Sequence, residues 1–145
     1  MPSARAIAAV LGGRRTLSRA PSTGRQWHET IRRGMPMAAV AALKRTTGLP
    51  DAELADLIGI SLKTLSRARS AGARLDPVTS DRLFRISKIV ALAIEVLENP
   101  QAALAWLTRP QVGLGGQVPL QLLTTEAGTG LVEQLLTRME HGVYA

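Results

Sequence analysis

Few residue types in this chain could do covalent chemistry. Cysteine is absent, which removes disulfides, thiolate zinc sites and thiol nucleophiles. The two histidines, His28 and His141, stand 113 residues apart and have no metal-ligand spacing. His141 falls in the last turn of an expected helix, where the dipole mildly favours a cation. The glycines at 113, 115 and 116 lack the Lys-Ser/Thr pair and the preceding strand of a phosphate loop. No serine sits in a Gly-x-Ser-x-Gly frame, and carboxylate pairs such as Glu95 and Glu98 read as solvent-facing. The sequence therefore points away from an enzyme, and no metal or cofactor is expected.

What remains is cationic chemistry on one short stretch. Lys63 and Arg67 are four residues apart and share a helix face. Ser61, Thr64 and Ser66 accompany them and Arg69 flanks them, with Leu62 and Ser70 completing the exposed surface. Lys and Arg can hold phosphates or guanine edges, and Ser or Thr can position the backbone. Ser61, Lys63, Thr64, Ser66, Arg67 and Arg69 are thus the candidate DNA-contacting set. Residues 1–90 carry 16 Lys/Arg against 6 Asp/Glu, and residues 91–145 carry 2 against 5. A front half at +10 suits a polyanion, whereas a back half at −3 suits protein contact. Four aromatics, Trp27, Phe84, Trp106 and Tyr144, are too few for a stacking platform. Duplex DNA is favoured over single strands.

The elements that position these side chains are helices. The chain has 145 residues, 46% of them hydrophobic but only 3% aromatic. Its core must come from Ala, Leu, Ile and Val, and no strand-like alternation persists, so the fold class is all-α. The stretch DAELADLIGISLKTLSRARS, residues 51–70, has a helix-turn-helix spacing. Ala55 is small where two helices touch, Gly59 permits a left-handed turn, and Leu65 locks the second helix onto the first. Leu54, Ile58, Ile60 and Ala68 fill the other inward positions, and Ser61 is the N-cap of the second helix. Gly34, Gly48 and Gly72 sit where helices stop; Asp76 and Asn99-Pro100 sit where helices start. Residues 1–23 read as a basic, poorly ordered tail, with a DNA-backbone arm or a short docking helix as alternatives. Residues 24–88 read as the helix-turn-helix domain and 89–145 as a small helical C-terminal domain. The longest apolar run, residues 89–94, cannot span a membrane, and the start lacks a clean signal-peptide cleavage region. A soluble cytoplasmic protein without a membrane partner is expected.

The last third is punctuated densely. Trp106-Leu107 closes a helix, Pro110 breaks it, Leu114-Gly115-Gly116 turns, and Pro119-Leu120 starts again before Leu122-Leu123. Thr125-Glu126-Ala127-Gly128 opens a helix that closes on Arg138-Met139-Glu140-His141-Gly142-Val143. In this order, behind the helix-turn-helix, these residues resemble antitoxins of the Xre/MbcA/ParS type. The resemblance covers about residues 40–145 and leaves residues 1–39 outside it.

The resemblance implies a RES-domain toxin partner that degrades or transfers from NAD. The antitoxin would block the toxin's active-site cleft with its C-terminal domain, and the complex would repress its own promoter on operator duplex DNA. The implied toxin-contacting set is Gly115, Gly116, Arg138, Met139, Glu140, Gly142, Val143, Tyr144 and Ala145. Gly142 is expected to end the last helix in a left-handed conformation and free Val143, Tyr144 and Ala145 to reach the cleft. A homodimer is expected, because one recognition helix makes few contacts, along with a hetero-oligomer with the toxin. Leu92, Ile94, Leu97 and Leu104 are its expected contact. The alternative function is a free-standing helix-turn-helix repressor whose C-terminal half dimerises or senses a ligand.

Overall fold

A computed structural model describes residues 2–142. Among these the chain forms nine α-helices and no strand. They are α1 (Ala4–Val10), α2 (Gly24–Arg33), α3 (Met37–Thr47), α4 (Asp51–Ile58), α5 (Leu62–Ala71), α6 (Pro77–Leu97), α7 (Pro100–Leu107), α8 (Pro119–Leu122) and α9 (Glu126–Glu140). Single 3-10 turns lie at Gly13–Arg15 and Val112–Leu114. The all-α expectation holds. The start signals work as their chemistry requires: Ser61, Asp76, Asn99 and Thr125 each accept a first-turn N–H through the side chain.

The organising element is α6, 21 residues long, or about 30 Å of rod. Helices α1, α2, α4, α7 and α9 all pack on it. Leu83, Ile86, Ile89, Val90, Leu92 and Ala93 are buried along it, a pattern of burial on several faces that marks a central helix rather than an amphipathic surface one. Its buried hydroxyls are satisfied: Ser87 donates to the Leu83 carbonyl (2.7 Å), and Ser80 accepts the Met35 N–H (2.8 Å). Trp27 of α2 stacks at a tilt on Phe84 of α6, with centroids 4.9 Å apart. The boundary expected between residues 88 and 89 falls inside α6, so the two parts of the chain share one helix and one continuous core.

Two expectations are corrected. Residues 2–23 do not form a loose tail. Ser3 caps α1 by accepting the Ala6 N–H, and Ile7, Val10 and Leu11 are buried against the core. Their i, i+3, i+4 spacing makes a narrow apolar stripe, and burying each such aliphatic is worth roughly 1.5–3 kcal/mol, enough to dock a short helix on α6 and α3. Leu92 is not spare either. Leu92 is fully buried within the chain, and Ile94 and Leu104 pack against its own core. Leu92 is therefore taken up by intrachain packing, whereas Ile94, Leu97 and Leu104 keep part of their surface exposed. No helix among the described residues is long and apolar enough to cross a membrane.

Candidate functional site

The helix-turn-helix geometry is built from its three constrained positions. Ala55 is buried where α4 meets α5, and Leu65 is the buried residue of α5. Gly59 ends α4 at φ 77°, ψ 30°. A Cβ there would overlap the Arg82 guanidinium, which lies over the turn from α6. Ser61 then caps α5: its Oγ accepts the Thr64 N–H at 3.0 Å and donates to Thr64 Oγ1 at 2.8 Å. With Leu65 facing in, Lys63, Thr64, Ser66, Arg67 and Ser70 are all exposed, and Leu62 is 51% exposed at the entry to the helix. Among the described residues, neither Lys63 nor Arg67 is ion-paired. These residues form a free cationic face flanked by hydroxyls.

Arg69 does something else. Its Nη1 and Nη2 donate to Asp51 Oδ2 and Oδ1 at 2.9 and 3.0 Å, and Lys44 Nζ reaches Asp51 Oδ1 at 3.0 Å. Arg69 first, and Lys44 second, hold the Asp51 carboxyl well below the ordinary aspartate range. The same pairing raises the Arg69 guanidinium above its ordinary value. Arg69 therefore clamps the end of α5 to the start of α4 and to α3, and it leaves the free face. The basic residues of α6 are also engaged: Arg82 covers Gly59, Arg85 pairs with Asp81 at 3.5 Å, and Lys88 reaches Glu133 of α9 at 3.5 Å.

Beyond α5, Gly72 stops the helix at φ 62°. The following segment is then fastened to the α2–α3 corner. Arg74 Nη1 donates to the Gly34 carbonyl at 2.8 Å, the Leu75 N–H donates to the Met35 carbonyl at 2.8 Å, and Arg74 bridges Pro36.

The C-terminal candidates divide in two. Gly115 (φ 64°) and Gly116 (φ 83°) make an exposed turn, closed where the Gln111 N–H donates to the Gln117 carbonyl at 3.0 Å. The turn at Val112–Leu114 packs on α9, as does α8. Gly128 allows that approach, since a Cβ on it would overlap the Leu122 carbonyl. In α9, Val132, Leu135 and Leu136 face the core, while Arg138 and Glu140 are exposed. Met139, expected as a contact residue, is half-buried against the core, so part of it serves packing. Gly142 adopts φ 76°, the expected left-handed stop. Val143, Tyr144 and Ala145 lie outside the described residues. In this C-terminal part, two exposed apolar side chains were not singled out from the sequence: Val112, 89% exposed, and Leu131, 51% exposed. The signal for each was local, since Val112 sits in a glycine-rich turn and Leu131 lies one position off the Val132, Leu135, Leu136 stripe.

Comparison with known proteins places both regions. Residues 26–88 match the model of the antitoxin Xre-like helix-turn-helix domain, and residues 92–142 match that of the antitoxin Xre/MbcA/ParS C-terminal toxin-binding domain. The likeness thus begins before residue 40. An antitoxin Xre of Yersinia enterocolitica is 30% identical over 118 residues, spanning 81% of this chain and 80% of the relative. A protein of Sphingobium named Prs ADP-ribosylating antitoxin is 24% identical over 99 residues, 62% of each chain. The fold is similar to that of a chain in the Mycobacterium tuberculosis MbcT–MbcA toxin–antitoxin complex. That match has a TM-score of 0.57 and 19% identity, and it covers 75% of this chain and 96% of the other.

Proposed function

The chain belongs to the Xre/MbcA family of toxin–antitoxin antitoxins, and from that membership we propose that it neutralises a RES-domain, NAD-consuming toxin and represses its own operon. The DNA half of this reading rests on one observation. Lys63 and Arg67 project from an exposed face of α5 with no carboxylate partner among the described residues, as phosphate and base-edge contacts require. Ser61, Thr64 and Ser66 flank them. Two copies would bind half-sites about 34–36 Å apart, in the cytoplasm where the operon lies.

The toxin half is supported by the matched toxin-binding region and by what the end of α9 exposes. Gly115, Gly116, Arg138, Glu140 and Gly142 are the candidate contacts, with Val112 and Leu131 as apolar anchors. The chain turns at Gly142 toward Val143, Tyr144 and Ala145, which would enter the NAD cleft. Tyr144 supplies a rigid aromatic body with one polar tip. Co-expression with the neighbouring toxin reading frame tests this, with cellular NAD as the readout. The intact chain should preserve NAD, and deletion of residues 143–145 should lose protection while the complex still co-purifies. Full protection by the truncated chain would move inhibition onto the exposed surface around Val112, Gly115 and Leu131.

A further inference from the structure

The first 33 residues carry seven arginines, no lysine and one carboxylate, Glu29. All seven arginines are exposed. This charge has no part in docking α1, which is achieved by Ile7, Val10 and Leu11. Two of the arginines converge with a third from elsewhere in the chain. Arg19, Arg33 and Arg74 line one cleft of about 460 Å³, together with Gln26, Thr30 and Glu29. Among the described residues, none of the three arginines forms an ion pair.

We propose that this cleft grips the backbone phosphate of duplex DNA beside the segment that α5 reads. The inference rests on the DNA-binding reading of α5 and adds a second, sequence-independent contact to it. Three features favour a backbone phosphate. Guanidinium groups match phosphate oxygens in bidentate geometry. Leu17, Pro21 and Pro36 give the cleft an apolar wall that suits the face of a deoxyribose. The third feature is position. Arg74 lies seven residues after Arg67, four of them helical, and even with the last three at full extension their Cα atoms are at most about 17 Å apart. Measured along the duplex axis, that is about five base-pair steps at roughly 3.4 Å each. Arg74 is held at the cleft because it and Leu75 are hydrogen-bonded to Gly34 and Met35 at the corner that carries α2.

The test is binding of the full chain to its promoter duplex and to a scrambled duplex of equal length, over a series of salt concentrations. Arg19→Ala/Arg33→Ala should weaken both duplexes by the same factor. It should also flatten the dependence of log affinity on log salt by about 0.9 per phosphate lost, between about 1 and 2 in total. Glu29→Gln, which removes the carboxylate from the cleft, should tighten both. Arg19→Lys/Arg33→Lys keeps the charge and should retain the slope. Unchanged affinity and slope in the Ala variant overturn the proposal. So does a loss confined to the promoter duplex, or a flattening of the slope in the Lys variant as large as in the Ala variant. If the wild type binds both duplexes equally and Lys63→Ala/Arg67→Ala changes nothing, α5 is not the reader. The slope on the scrambled duplex then still decides the cleft. Binding of neither duplex by the wild type rejects both.

Discussion

The guanidinium of Arg82 lies over the α-carbon of Gly59, closing the turn between α4 and α5 from the side of α6. The turn is left-handed at φ 77°, so a side chain there meets both a backbone penalty and a neighbour. The neighbour is the far end of a flexible side chain and can move aside, whereas φ cannot change without unseating α5. Gly59→Ala should therefore cost about 1–2 kcal/mol, with little recovered in Gly59→Ala/Arg82→Ala. Gly128→Ala should cost more, because its Cβ would meet the Leu122 backbone carbonyl, which has nowhere to go. Urea midpoints for the three variants check both statements.

Reading and clamping separate on α5. Arg67→Ala should lose about 1–3 kcal/mol of promoter binding and relax base preference at one position, leaving the melting temperature unchanged. Arg69→Ala should lower the melting temperature, since it releases α5 from Asp51. Its effect on DNA should be a general weakening without a change in base preference. Anisotropy titrations against single-base variants of the promoter, with melts alongside, distinguish the two.

Acid should loosen the same clamp. Asp51 is held well below the ordinary aspartate value by Arg69 and Lys44, so the unfolded chain takes up its proton at higher pH than the folded one. The stability that this ion cluster contributes is fully present above about pH 4, the ordinary aspartate value, and is lost as pH falls from there. Urea midpoints should decline below that point in the wild type. They should decline less steeply in Asp51→Asn, which starts lower at neutral pH.

Ser80 gives a different kind of expectation. Its buried Oγ accepts the Met35 N–H, 45 residues away in sequence, and has no exposure to water. Ser80→Ala leaves that N–H buried without a partner and should cost about 1–3 kcal/mol. Ser87→Ala should be milder, because Ser87 donates only to a helical carbonyl one turn back. Denaturant melts of the two variants make the comparison.

The helix-turn-helix was legible because its constraints are local. Ala55, Gly59 and Leu65 each answer to geometry within a few residues, and Ser61, Asp76 and Asn99 announce their helices by capping chemistry. Arg69 read as a flank of the exposed face because its partner, Asp51, is 18 residues away and no local pattern joins them. The first helix was hidden for the opposite reason. Ile7, Val10 and Leu11 have the spacing of a stripe, but seven residues rich in alanine are too few for a helix that stands alone. Only α6 and α3 make it worth forming. Leu92 misled in the same way, since a sequence does not say how many neighbours surround a helix. The toxin-contacting set remains the least legible part, because exposed side chains such as Val112 and Leu131 acquire meaning only from the surface that meets them.

The unbroken run of α6 from Pro77 to Leu97 makes it a splined shaft between two fittings. At about 100° per residue, inserting one residue near its middle would swing everything beyond by more than a quarter turn relative to α5. Four residues would restore the bearing to within about 40°, displaced by one pitch. A hybrid antitoxin joined within this helix therefore has to preserve rotational phase as well as side-chain packing. Between natural relatives, gains and losses of length are expected in the corners at residues 34–36 and 108–118, while the shaft keeps its count.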